Sequence, residues 1–162
     1  MKFNIVKPAR IGSLRLKGEG FVDNQWIPMV IHVAQRASLS GAKNIVIATD
    51  DKKIVQVASH YNFKSVMTNK NHLSGTDRCL EASNINMWAD QDIIVNVQAD
   101  EPLIDPALID LVAKNVTESE SGYVTACSEF KSYKEFINPN NVKVVLDNHS
   151  HALYFSRSSI PY

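Results

Sequence analysis

Apolar positions in this chain recur with two periods. Four short runs are β-branched and of strand length: Phe3-Asn4-Ile5-Val6, Asn44-Ile45-Val46-Ile47-Ala48, Ile93-Ile94-Val95-Asn96-Val97 and Val142-Lys143-Val144-Val145-Leu146. Between them, apolar residues return at helical spacing: Met29, Val30, Val33, Ala34 and Ala37; Ile54, Val55, Val57, Ala58 and Tyr61; and, after Pro106, Leu108, Ile109, Leu111 and Val112. Strand and helix therefore alternate. That is the pattern of βαβ units, and runs with so few polar positions suit a parallel sheet covered on both faces. Gly41 closes the first helix, and Asp105 followed by Pro106 reads as an N-cap with proline at the first helical position. Glu118-Ser119-Glu120-Ser121-Gly122 reads as a polar turn. The expected fold is a doubly wound α/β domain with a mostly parallel sheet and helices on both faces. It is read as a single domain over 1–162, undivided by any linker or repeat.

Size and charge narrow the classes of function. A chain of 162 residues can bury roughly two-thirds of the surface it exposes when unfolded, so its core needs neither disulfide nor metal. The two cysteines, Cys79 and Cys127, form no CxxC motif and no framework, which favours a reducing compartment and gives no zinc site. Lys and Arg number 17 and so do Asp and Glu. This balance argues against coating nucleic acid or an anionic membrane through net charge. No apolar run reaches the ~18 residues of a spanning helix, and Met1-Lys2-Phe3-Asn4 lacks a signal-peptide core. The expected location is the cytoplasm.

In doubly wound sheets ligands bind outside the carboxyl ends of the strands, so the loops that follow the strands carry the chemistry. The first, Pro8 to Phe21, holds Gly12, Gly18 and Gly20 with Ser13, Arg10, Arg15 and Lys17. Glycines let backbone N–H groups approach phosphate oxygens, and arginines add bidentate charge-assisted bonds. Neither GxxxxGK[ST] nor GxGxxG is present, and the same composition suits a basic surface loop equally well. After the third run, Gln98-Ala99-Asp100-Glu101-Pro102 offers adjacent carboxylates that can hold a divalent cation against phosphates, or merely solvate a turn. His72-Leu73-Ser74-Gly75-Thr76-Asp77-Arg78 opens a helix-like stretch that Ser74 or Thr76 can cap. Its glycine turn could equally present backbone to a nucleobase edge. His72 has no partner at metal-ligand spacing and reads as a hydrogen-bonding histidine. Near the end, Asn138-Pro139-Asn140-Asn141 precedes a strand and Tyr154-Phe155-Ser156-Arg157 follows another. Arg157 can grip a carboxylate or lie on the surface with its stem packed.

The ordered set Pro8-Ala9-Arg10, Gly12-Ser13, Arg15-Leu16, Ala48-Thr49-Asp50, Ser74 to Arg78, Val95 to Gln98, Asp100-Glu101-Pro102, Asn138-Pro139-Asn140, Val142 to Val145 and Ala152 to Arg157 resembles the 3-deoxy-manno-octulosonate (Kdo) cytidylyltransferases, or CMP-Kdo synthetases. Pro-Ala-Arg alone would suit other sugar nucleotidyltransferases; the Asn96 to Pro102, Ser74 to Arg78 and Tyr154 to Arg157 motifs are the specific ones.

The resemblance implies transfer of CMP from CTP to Kdo, with release of pyrophosphate, in lipopolysaccharide synthesis. It implies that Arg10, Ser13 and Arg15 contact the triphosphate, that Ser74, Gly75 and Thr76 read cytosine, that Asp100 binds Mg2+, and that Gln98 and Arg157 hold the sugar acid. Arg10, Arg15 and Asp100 are the implied catalytic residues, and a full-length relative is expected to be a homodimer. Four positions depart from the family pattern. Lys17-Gly18-Glu19 stands where the family has Pro-Gly-Lys, with Glu19 in place of a phosphate-binding lysine that Lys17 would have to replace. Lys7 replaces an apolar strand residue, and Leu14 a small hydroxyl side chain. Family members also continue beyond the position of Tyr162, so the sequence is read as an N-terminal portion, incomplete at its C-terminus. Two alternatives stand beside this reading: a CTP-dependent transferase for another 2-keto sugar acid, and an inactive nucleotide-binding or subunit fragment.

Overall fold

A computed structural model describes residues 2–10 and 27–161. The chain divides into two compact units, Met1–Val124 and Thr125–Tyr162. In the first, β1 (Phe3–Ala9), β2 (Asn44–Thr49), β3 (Lys64–Met67) and β4 (Ile93–Asn96) form a sheet in the order β3-β2-β1-β4, and every pairing is parallel. The expected doubly wound arrangement is present. All seven residues of β1 are buried, as befits a central strand covered on both faces.

Strand alternation assigns the two faces. Phe3 and Ile5 pack with Val33 and Ala37 of α1 (Met29–Ala37) and with Ile109 and Ala113 of α4 (Pro106–Glu118). Ala9 and Ile47 extend that face toward Ile54 and Ala58 of α2 (Lys52–His60). Val6 and Ala48 point the other way, onto Cys79 and Ala82 of α3 (Gly75–Ile85). Chain order explains the division: β1 to β2 to β3 runs toward one edge, and α3 must then cross the opposite face to return to β4 beside β1. The change of direction falls between β1 and β4, at whose carboxyl ends sheets of this kind bind ligands.

Helix boundaries follow local chemistry. Asp51 caps α2 by accepting from the Lys53 N–H at 2.7 Å, and Asp105 caps α4 by accepting from the Ala107 N–H at 3.0 Å, with Pro106 in the first turn. Gly41 follows α1 because a side chain there would approach Asp110 Oδ1 to 3.3 Å; its N–H instead donates to that oxygen at 2.8 Å. The polar turn expected at Glu118 to Gly122 ends α4, and Gly122 takes a positive φ of 68°.

The second unit holds α5 (Tyr133–Ile137) and an antiparallel ribbon of β5 (Lys143–Leu146) and β6 (Ala152–Ser156). Two sequence readings are corrected here. The Val142 to Leu146 run does not join the parallel sheet, and Tyr154 to Ser156 forms a strand rather than following one. The short Asp147 to His151 connection fixes the antiparallel return, since Asp147 Oδ1 accepts from the N–H groups of His149 and His151, both at 2.8 Å. Lys143 anchors the ribbon from within. Its buried Nζ donates to the carbonyls of Asn138, Asn141 and Arg157 at 2.7, 2.9 and 2.8 Å, satisfying all three of its donors. Leu153, Tyr154 and Phe155 are exposed.

Candidate active site

At the β1 and β4 strand ends, three separate segments meet around Gly75. A Cβ added there would lie 3.3 Å from Pro8 Cγ, 3.6 Å from Gln98 Nε2 and 3.7 Å from Asn96 Nδ2. Gly75 is thus the residue that lets the start of α3 pack against the ends of β1 and β4. Gln98 is exposed and oriented by its own strand, its Nε2 donating to Asn96 Oδ1 at 3.0 Å.

The turn beside this junction is built by a capping box. Asp77 N–H donates to Ser74 Oγ at 3.1 Å, and Ser74 N–H and Oγ donate to Asp77 Oδ2 at 3.1 and 2.8 Å. The hydroxyl and backbone donors of Ser74 hold the Asp77 carboxyl below its ordinary range. Of the two caps the sequence allowed, Ser74 is the one used. His72 plays the hydrogen-bonding role expected of it. Its ring pairs with Glu81, whose carboxylate also accepts from the Asn69 N–H at 2.8 Å and is held low by these donors. Arg10 donates through Nη2 to the His72 carbonyl, tying the end of β1 to the same turn.

Arg78, part of the same motif, is structural. Almost wholly buried, it pairs with Asp50 at 2.9 Å and donates to Thr68 Oγ1, joining the loops after β2 and β3. Cys79 beside it is a buried free thiol pushed up to about 12 by desolvation, which makes it an inert core residue.

Asp100 follows β4, is exposed, and takes part in none of the ion pairs among the described residues. No cluster of three or more His, Cys, Asp or Glu able to hold a metal occurs among those residues. Asp100 and the exposed Glu101 beside it are too few for a metal caged by protein, and fit Mg2+ held jointly with ligand phosphates. Lys7 is the feature that residue types did not reveal. Its side chain is fully buried, its Nζ has no hydrogen-bond partner among the described residues, and burial pushes it down to about 7 against the opposing charge of Asp100. Ser13, Arg15, Lys17 and Glu19 lie outside the described residues. Arg157 belongs to the second unit, where its Nη1 donates to the Pro139 carbonyl at 3.1 Å.

A parallel sheet whose strand order reverses between β1 and β4, with Asn96 and Gln98 at the reversal, defines a doubly wound α/β domain. Residues 5–162 match the model of a family described as cytidylyltransferase, and the chain belongs to that family. It is 48% identical over 163 residues to a 3-deoxy-manno-octulosonate cytidylyltransferase from Cellvibrio japonicus, covering 100% of this chain and 64% of that protein. A protein of the same name from Acidovorax sp. (strain JS42) is 46% identical over 161 residues, covering 99% and 62%. Among solved structures, a CMP:2-keto-3-deoxy-manno-octonic acid synthetase complexed with CTP superposes with a TM-score of 0.79 at 35% identity, over 100% of this chain and 66% of that one. The chain thus spans less than two-thirds of the length of these relatives. No helix among the described residues is long and apolar enough to cross a membrane.

Proposed function

We propose that this chain binds CTP at the β1 and β4 strand ends and serves the transfer of CMP to Kdo, giving CMP-Kdo and pyrophosphate in the cytoplasm. The observation that carries the reading is the convergence of Pro8, Gly75, Asn96 and Gln98 at the switch point of the sheet. The likeness to a relative complexed with CTP supports it.

The chemistry needs little covalent help. The sugar hydroxyl attacks the α-phosphorus in line, and the protein supplies position and charge. The capped turn offers backbone groups of Gly75 and Thr76 to the cytosine edge, beside the Ser74 cap. Arg10, already braced against His72, presents its remaining guanidinium donors to the triphosphate, with Ser13 and Arg15 of the following loop. Gln98 is assigned to the sugar acid. Asp100 would hold Mg2+, which supplies positive charge against the triphosphate. The homodimer expected of a full-length relative is part of this proposal.

Asp100→Asn tests the assignment of the metal. It keeps the shape of the side chain and removes its charge, so magnesium-dependent CTP binding should weaken by about 1.5 to 3 kcal/mol, the scale of a charged contact. Calorimetric titration of both proteins with CTP, with and without Mg2+, reads this directly. An unchanged magnesium dependence would make Asp100 a turn residue.

A further inference from the structure

The turn that joins β3 to α3 has no core of its own. From Asn69 to Ser74 only His72 is even half-buried, and Leu73, the one large apolar side chain in the stretch, is 96% exposed. Polar ties therefore set its course. Ser74 belongs to the capping box of α3, and the Asn71 N–H closes a local turn by donating to Asn69 Oδ1 at 2.9 Å. Two side chains from outside hold the stretch between them. Glu81 of α3 reaches back with a single oxygen, Oε2, which accepts from the Asn69 N–H at 2.8 Å and from the His72 ring. Arg10, just past β1, donates to the His72 carbonyl. One residue is thus held by its ring from α3 and holds Arg10 with its backbone.

We infer that Glu81 is a positioning residue for the nucleotide: by fixing His72 it fixes the carbonyl that orients Arg10 toward the triphosphate. The inference rests on the assignment of Arg10 to the triphosphate made above. A guanidinium presents its five N–H donors in one rigid plane, so an acceptor that fixes one of them sets the direction of the rest. The acceptor here is a backbone carbonyl in a turn without apolar packing, and its place depends on the His72 ring staying with Glu81. Glu81 itself touches no reactant. A role through its charge would have the opposite sign, since taking a carboxylate away from a triphosphate favours binding of the anion.

The test is titration of CTP, in Mg2+, into Glu81→Leu, Glu81→Gln, Arg10→Met and the double variant of Glu81→Leu with Arg10→Met, with thermal melts to establish that each is folded. Glu81→Leu removes the acceptor for both donors and should weaken CTP binding by on the order of tenfold, the scale of coupling within one hydrogen-bond network. Glu81→Gln discards the charge but keeps an oxygen acceptor, so it should restore most of that loss. In the Arg10→Met background Glu81→Leu should cost nothing further, because the group it positions is gone; a merely structural role would cost the same in both backgrounds. If Glu81→Leu does not fold, His72→Ala takes its place with the same expected loss, since it breaks the same tie and keeps the carbonyl. If Arg10→Met binds CTP as the parent does, or the parent binds none, the assignment of Arg10 falls and the inference falls with it. If Arg10→Met weakens binding while Glu81→Leu leaves it unchanged, strengthens it, or weakens it by one factor with and without Arg10, the positioning role is overturned and the assignment of Arg10 stands.

Discussion

Lys7→Met should raise the free energy of unfolding at pH 7 by on the order of 4 kcal/mol. Burial brings the Lys7 ammonium from the ordinary 10.5 down to about 7, with Asp100 opposing the shift, so the folded chain resists a proton that the unfolded chain accepts. Above about 10.5 lysine is neutral in both states and contributes no charge penalty. As the pH falls from about 10.5 to about 7, the unfolded chain takes up its proton first and the parent loses stability, by about 1.4 kcal/mol per pH unit. Below about 7 both states are protonated and the deficit stays constant. Urea denaturation of the two proteins at intervals between pH 6 and pH 10 measures the difference. The gap between them should close as the pH rises; curves that run parallel across that range would show that Lys7 carries no such penalty.

Arg78→Met should have the opposite effect, destabilising the fold by about 3 to 5 kcal/mol. Side-chain exposure is 1% for Arg78 and 17% for Asp50, so their 2.9 Å pair is shielded from solvent, and removing the cation strands a carboxylate and the Thr68 hydroxyl. The loss should extend beyond the pair, because Arg78 ties α3 to the loops after β2 and β3, and the Ser74 turn sits between those anchors. Adding Asp50→Asn to Arg78→Met removes the orphaned charge and should recover part of the stability. A single variant less than about 1 kcal/mol below the parent in urea denaturation would place Arg78 among weak surface pairs.

The readable parts of the fold were those where one local signal sufficed. The runs that became β1, β2 and β4 are apolar enough for strands buried on both faces, and α1 begins at Met29 and ends at Ala37, as its spacing predicts. Lys64-Ser65-Val66-Met67 gave no such signal because β3 is an edge strand, its first and last residues exposed, and its place in the sheet is set by pairing with Val46 to Thr49. The fate of Val142 to Leu146 was equally hidden. A run of that composition serves in either kind of sheet, and its partner is chosen by the turn at Asp147, not by the run itself.

For the candidate site, residue types and family motifs picked out Arg10, Ser74, Gly75, Gln98 and Asp100, but not the division of labour among them. The convergence on Gly75 depends on α3 crossing the sheet, and the bracing of Arg10 on His72 spans 62 positions, both beyond the reach of local patterns. Arg78 reads in sequence as one more cation of a binding motif, and only its burial beside Asp50 shows it to be structural. Lys7 was visible as a departure from the family pattern. Its burial follows only from β1 being a central strand.

Calorimetric titration of the chain with CTP and, separately, with UTP, both in Mg2+, tests the assignment of the strand-end site most directly. The two nucleotides share a triphosphate and a ribose, so only a reading of the base, the role proposed for the Ser74-Gly75-Thr76 turn, can separate them. Cytosine presents an amino donor where uracil presents a carbonyl, and a site built to bond one leaves its polar groups unpaired against the other. CTP should bind, and UTP should bind at least tenfold more weakly. Equal affinity for the two, or no heat with either, would contradict the cytidylyltransferase reading of this site.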